Sequence, residues 1–476
     1  MRLTYTPDNH LLLLNANFYK MNSKKLKIVF TTLAIYQTEF FCLVGEKLEL
    51  LGFEVSYICF HEKSHHFLTG KGKKSFNVYQ HVLPERPPFY LKDYGIDSLH
   101  LYLAYERVGS GKSSKQLNSK FINYIEIVND ILINKIGEGK ILLVQEYGGA
   151  ISLVASFFAA RRNNIDNMFI EPSFFRGRFS LVYNNFAANK INPNSAGSIS
   201  DDVLSYLTKT ISEQNIVIPL KDSKQYRSPI NKIVDSKNLK RLISKLHGKY
   251  VLKNNEEWDY IGRYVVSHVK MLFNNLRFKK YYKPKVDGKF FYFPFHVPND
   301  AALTIRSPEY VDQYALVDYV ARIMPIGYTL AIKEHPALIG AIDYERVSKM
   351  LNCYNNLVLL DPNTNNYDVL RTADAVITIN SKSGAEALLL GKPVIVLGDA
   401  FYKFAPGAIY VDSLSKLPEL LNSLFSKTFK VEKNTLDHFF QNVWDKTYKG
   451  ELYKDNEENI NNFTSSIIKW TKEFVK

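Results

Sequence analysis

The sequence predicts an α/β protein of two Rossmann-type domains whose parallel sheets face each other across a cleft. Three observations carry this expectation. A strand-helix-strand opening occupies residues 27–59. A longer alternation of strands and helices runs from 289 to 397. Between them, Pro284-Lys285-Val286-Asp287-Gly288 has the composition of a linker.

The first unit starts with Lys27–Thr31 (KIVFT), a short apolar run of the buried-strand type. Gln37–Leu51 has a helical pattern, with Gly52 as its stop. Glu54–Cys59 is the next strand, and two strands joined by a helix pair in parallel. A strand-like run recurs at Ile141–Val144, followed by Gln145-Glu146-Tyr147-Gly148-Gly149 and an apolar helix through Ala160. Asn167–Ile170 is a further strand, with Glu171 in the loop after it. Residues 1–22 read as an irregular lead-in. Residues 185–285 are rich in Asn, Lys and Ser and read as a helical insertion, with helices near Asp201–Thr210 and Glu256–Leu276.

The second unit has strands Lys289–Phe295, Tyr328–Lys333, Leu357–Leu360, Ala375–Ile379 and Pro393–Leu397. Helices Tyr310–Met324, Tyr344–Leu351, Tyr367–Thr372 and Gly384–Leu390 fill the gaps, and Leu417–Phe425 and Asn456–Phe474 follow. The expected domains are an N-terminal one over 1–285 with its helical insertion at about 185–285, a C-terminal one over 286–435, and a helical segment, 436–476, that can pack back on the first.

The 476 residues suit two or three domains, and 46% hydrophobic residues excludes general disorder. The net charge of +14 favours anionic partners. The basic residues do not form a run of five or six, and no nucleic-acid-binding signature accompanies them. Nucleic acid is therefore not an expected partner, whereas weak attraction to an anionic membrane face is. Cys42, Cys59 and Cys353 lack metal-ligand spacing and form no disulfide framework, which points to a reducing compartment. Leu11–Leu14 is too short for a signal peptide or a span, and no window of 18 apolar residues occurs.

Ligands of open parallel sheets bind where strand C-termini open into a crevice. Three strands of the second unit end in suitable residues: Lys333-Glu334-His335-Pro336, Asn380-Ser381-Lys382-Ser383-Gly384-Ala385-Glu386, and Gly398-Asp399-Ala400. Ser381 and Ser383 precede a helix whose first N–H groups make an anion site. Equally, one serine can simply cap that helix, and Gly384 can be a close-packing residue. His335 is placed to donate to a phosphate, or it is a structural histidine. Lys333 and Glu334 also read as solvated ends of a strand. Glu386 can hold a ribose hydroxyl, or is only a carboxylate near a helix N-terminus. Glu171 and Asp300, read as loop residues after strands, are the acid, base or nucleophile candidates; a turn or helix cap is the alternative for each.

Together these motifs resemble the bacterial capsule polysaccharide synthesis family. The resemblance rests on Lys333-Glu334-His335-Pro336, Asp361-Pro362, Ala373 through Ser381, Gly384-Ala385-Glu386-Ala387-Leu388, and Gly391-Lys392-Pro393-Val394-Ile395, and extends over the Tyr402-Lys403 to Gly407 stretch. That family includes β-Kdo transferases. The resemblance implies a GT-B-like fold and a metal-independent, retaining glycosyltransferase without a cofactor. The implied donor is a CMP-activated ulosonic acid, Kdo or a nonulosonic sugar, and the acceptor a glycan or lipid-linked saccharide. Lys333, His335, Pro336, Asn380, Ser381, Ser383, Gly384 and Glu386 would hold the donor, with Asp300 as nucleophile and Glu171 as acid or base. His296-Val297-Pro298-Asn299-Asp300 stands where family members have Gln-x-x-x-Asp, with His in place of Gln. The implied location is cytoplasmic, peripheral on the inner face of the inner membrane. A UDP- or GDP-sugar transferase, an epimerase of the same architecture, and a non-enzymatic glycan- or membrane-binding module are the alternatives.

Overall fold

The computed structural model describes residues 26–83, 90–192, 198–214, 236–258, 261–424 and 431–474. The lead-in at 1–22, with its Leu11–Leu14 run, lies outside them.

The first unit contributes strands β1 (Leu26–Thr32), β2 (Glu54–Cys59), β3 (Ser75–Asn77), β4 (Lys140–Glu146), β5 (Asp166–Pro172) and β6 (Arg178–Tyr183). The second contributes β7 (Tyr282–Lys283), β8 (Lys289–Pro294), β9 (Tyr328–Lys333), β10 (Leu357–Leu360), β11 (Ala375–Thr378), β12 (Val394–Val396) and β13 (Ala408–Tyr410), and β14 (Thr447–Lys449) follows. One sheet has the order β14-β6-β5-β4-β1-β2-β3, the other β13-β12-β11-β8-β9-β10-β7. Counted from β1 in the first sheet and from β8 in the second, both contain the order 3-2-1-4-5 of a Rossmann sheet, so each has a point where strand order reverses. The architecture is GT-B-like: two α/β units with parallel sheets. Parallel pairing dominates, and the antiparallel pairs are β5–β6 and β6–β14 at one edge of the first sheet.

Each sheet is apolar on both faces, as helix-covered parallel strands must be. Val29, Leu143 and Phe169 of the first sheet pack on the helices Ser114–Asp130 and Ile151–Arg162. Ile28, Phe30 and Val144 face the helix Ile35–Leu50 and the C-terminal helix Glu457–Phe474. The C-terminal helix thus closes the first unit, although the chain reaches it only after building the second. Phe463 is its anchor: its ring stacks on Phe179 with centroids 4.0 Å apart and meets Phe40 edge-on at 4.9 Å.

Residues on either side of β6 do the reverse. Phe174, Phe175, Ile191, Val203 and Leu207 join the core formed by Tyr292, Val376 and Val396 of the second sheet and Phe439 and Phe440 of the helix Lys433–Asp445. The two units therefore exchange chain segments. A third element bridges them. The helices Ser236–Leu246 and Ile261–Phe278 flank a turn in which the Asn255 carbonyl accepts from Glu62 N (3.0 Å) in the first unit. At the far end, Asn274 Nδ2 donates to the carbonyls of Gly340 and Ile342 in the second. Among the described residues no helix is long and apolar enough to cross a membrane.

Replacing Phe463 by Ala removes a fully buried ring from this closure. The variant is expected to lose about 3–5 kcal/mol of stability, read from urea unfolding; a loss below about 1 kcal/mol would show that the C-terminal helix does not hold the first unit together.

Candidate active site

A cleft of about 640 Å³ opens between the units at the C-terminal ends of the strands. It lies at both points of strand-order reversal. Leu33, Glu146 and Tyr147 follow or end β1 and β4; Pro294, His296, Asn380 and Ser381 end or follow β8 and β11. Of the residues singled out in the sequence, Glu171, Asp300, Lys333, His335, Pro336, Asn380, Ser381, Ser383 and Glu386 all line it. Gly384 does not. It is buried in the helix Lys382–Leu389, and a β-carbon there would collide with the Tyr402 ring, so its role in this geometry is close packing.

On the second unit's wall, His335 follows β9. Its Nδ1 accepts from Ala337 N at 3.2 Å, which puts the neutral ring's proton on Nε2 and makes that nitrogen a donor. Ser381 caps the helix Lys382–Leu389, its Oγ accepting from Ser383 N at 3.2 Å. The hydroxyl of Tyr402 donates to the Ser381 carbonyl and fixes the turn. Asn366 Nδ2 donates to Ser383 Oγ (3.2 Å) and to Glu386 Oε2 (2.7 Å), and its Oδ1 accepts from Tyr292 OH. Asn380 Nδ2 donates to the Ala302 carbonyl at 2.6 Å, tying this turn to the loop that carries Asp300.

Burial sets the charges. Lys333 and Glu334 are not solvated ends of a strand; both are almost wholly buried. Burial lowers the Lys333 pKa from 10.5 to about 8, against the pull of Glu386 and Asp361. It raises Glu386 from 4.5 to about 7, although the Asn366 hydrogen bond and Lys382 and Lys333 oppose it. Glu334 is likewise raised to about 7 by burial. Its carboxylate accepts from Tyr282 OH (2.6 Å) and Gly340 N (2.7 Å), which makes it a brace for the loop beyond His335. His296, the residue in place of Gln, is clamped through its backbone by Gln313, and burial lowers its pKa to about 4. It is a neutral acceptor: Asn380 N points at its Nε2 at 3.4 Å.

The two carboxylate candidates differ in setting and in unit, Asp300 following β8 of the second and Glu171 belonging to the first. Asp300 is exposed and caps the short helix Ala301–Thr304, accepting from Ala302 N at 3.0 Å. Glu171 is not in a loop. It lies inside β5, because β6 pairs with Glu171 and Pro172 as well as with the strand before them. Its Oε2 faces Arg306 of the second unit at 2.9 Å. Arg306 donates through Nε to the Phe186 carbonyl (2.9 Å) and lies over the Tyr147 ring at 4.1 Å. Lone-residue reading missed Arg306: one arginine after a loop helix has no spacing signal. It also missed Asn366, Lys382 and the trio of Glu146, Gln37 and Tyr453. Gln37 Nε2 donates to Glu146 Oε2 at 3.1 Å, as does the Tyr453 hydroxyl. The run Gln145-Glu146-Tyr147 at a strand end was the available signal for part of this group.

The model of the family described as capsule polysaccharide biosynthesis protein matches residues 152–413, more than half of the chain, including the second unit's wall of the cleft and Glu171. The chain belongs to this family. Protein FixF of Sinorhizobium fredii (strain NBRC 101917 / NGR234) is 36% identical over 119 residues, which are 24% of this chain and 27% of FixF. The similarity thus spans about a quarter of that relative. Among solved structures, Thermosulfurimonas dismutans KpsC, beta Kdo 2,7 transferase, is 14% identical with a TM-score of 0.38, covering 93% of this chain and 99% of that one. KpsC, beta Kdo 2,4 transferase, from the same organism is 11% identical with a TM-score of 0.34, covering 68% and 86%. UDP-GlcNAc 2-epimerase from Neisseria meningitidis is 12% identical with a TM-score of 0.24, covering 94% and 100%.

A carboxyl whose pKa rises on folding stabilises the fold below its unfolded pKa of 4.5 and loses that contribution as pH climbs through about 7. Replacing Glu386 by Gln removes this titration. The variant's melting temperature is expected to fall less than the wild type's between pH 4.5 and 7; an unchanged pH profile would mean that Glu386 is ionised throughout.

Proposed function

We propose that this protein is a glycosyltransferase of surface polysaccharide synthesis that transfers an ulosonic acid from a CMP-sugar to a glycan or lipid-linked saccharide. Membership of the capsule family supports the process. The observation that carries the chemistry is the cleft's asymmetry. One wall offers donors and cations suited to a phosphate: His335, Ser381, Ser383, Lys382, Lys333 and the helix start at 382. Two carboxylates join it: Asp300, in the loop after β8 of the same unit, and Glu171, in β5 across the cleft.

In this reading the CMP phosphate lies against His335 Nε2–H and the N–H groups of the helix start. Lys333, held at a reduced pKa by burial, gains charge when an anion arrives. An Asp300 carboxylate oxygen attacks the ketose anomeric carbon as its bond to the CMP phosphate oxygen breaks, and CMP leaves with the bonding pair. The acceptor hydroxyl then attacks the glycosyl-aspartate. Glu171, oriented by Arg306, takes the hydroxyl proton, and Asp300 is released as carboxylate. Two inversions leave the anomeric configuration retained. No metal enters this scheme, because the departing phosphate is met by protein cations and dipoles.

Thermal stabilisation of the purified protein by CMP, UMP, UDP and GDP tests the donor. A shift with CMP that disappears in His335→Ala is expected; a shift with UDP or GDP alone would discard the CMP donor. Asp300→Ala is expected to cut transfer roughly a thousandfold or more while the CMP shift persists. Full activity of that variant would remove Asp300 from the chemistry.

A further inference from the structure

The bridging helix Ile261–Phe278 has two opposed sides. Met271, Asn274 and Phe278, spaced i, i+3, i+7, are buried against the second unit. Val266, Val269, Phe273 and Leu276 are exposed, with Val266 at 67% and Phe273 at 62%. At about 100° per residue these four lie on one stripe, opposite the buried side. The preceding helix and the turn after it add exposed Ile243, Leu246, Tyr250, Val251 and Leu252. The two helices touch each other.

The charge around this apolar surface is one-sided. Residues 236–280 hold eleven Lys or Arg and three Asp or Glu, so this tenth of the chain carries more than half of its net charge of +14. Lys240, Lys245, Lys253, Lys270, Arg277 and Lys280 are exposed. Two of the three carboxylates are drawn into ion pairs: Glu256 with Lys245 (3.2 Å) and Glu257 with the buried Lys120 (3.2 Å).

We propose that the bridging helices form an interfacial docking surface for an anionic bilayer. An apolar stripe flanked by lysines matches acyl chains below and anionic headgroups beside them. A second copy fits worse, since it would press two surfaces of the same sign together. A nucleic acid would meet the lysines but leave Val266, Val269 and Leu276 without apolar cover. The surface is also well placed. Trp258, in the turn between the two helices, lines the cleft, so the same segment that carries this surface also reaches the cleft wall.

The test is co-sedimentation of the full-length protein with vesicles of phosphatidylcholine, with and without phosphatidylglycerol. Binding to the anionic vesicles, weakening with salt, is expected. Val266→Asp/Phe273→Asp should reduce it roughly tenfold or more, and Lys270→Glu/Lys280→Glu should reduce it and flatten its salt dependence. Both variants should keep the CMP thermal shift of the wild type, which shows that they are folded. Equal binding by wild type and both variants, or no binding to anionic vesicles, would overturn the proposal. So would a dimer abolished by Val266→Asp/Phe273→Asp in place of vesicle binding. A wild type that binds vesicles but shows no CMP shift would leave this surface standing and remove the donor reading instead.

Discussion

Glu171 and Arg306 belong to different units, one in β5 and the other in the turn after the helix Ala301–Thr304, and their ion pair joins the units inside the cleft. Its atoms are largely withdrawn from water, with side chains 17% and 10% exposed. The desolvation of such a pair is offset only in part by further contacts, since the buried Arg306 Nη2 makes no hydrogen bond besides its ion-pair contact with Glu171. Here the Phe186 carbonyl accepts from Arg306 and the Tyr147 ring lies against the guanidinium. Removing either partner would leave an uncompensated charge at the seam, at a cost of about 3–5 kcal/mol. Nearby, Ala188 N donates to Asp399 at 2.7 Å, and Lys403 completes that carboxylate's shell. These contacts set the distance between Glu171 and the phosphate-type wall. The position of every functional group discussed above depends on that spacing.

The second unit holds its functional groups in two kinds of setting. On the second unit, burial holds Lys333 near the point of losing its proton and Glu386 near the point of keeping one. A site in that condition is short of charge and gains by accepting an anion. In the loop after β8 of the same unit, Asp300 is open to solvent at a helix cap, reachable by a substrate atom. The exchange of segments between units serves the same end. Phe174 and Phe175 are anchored in the second unit's core, directly after Glu171, and hold the end of β5 against the cleft.

Much of the second unit was legible in its sequence. Most strands there are short apolar runs closed by polar, charged or small residues, and β9 and β10 start and stop at the predicted residues. The polar residues at their ends announced the crevice, because strand C-termini of such sheets line it. Legibility failed where tertiary contacts decide. Glu171 read as loop because nothing local reveals that β6 turns back to pair with it. Glu334 read as surface because its partners, Tyr282 and Gly340, lie on other elements. The strand Thr447–Lys449 has three residues and no periodicity, and exists through its pairing with β6. Arg306 stayed silent for the same reason: its role is defined by Glu171, Tyr147 and Phe186, all distant in sequence.

The central claim is that the second unit's wall binds the nucleotide phosphate. Amide hydrogen exchange of the full-length protein with and without saturating CMP tests it directly. The account predicts protection confined to peptides covering 333–337 and 380–387, with 146–149 across the cleft unchanged. Protection centred on the first unit, or none in either second-unit segment under conditions where CMP binds, would contradict it.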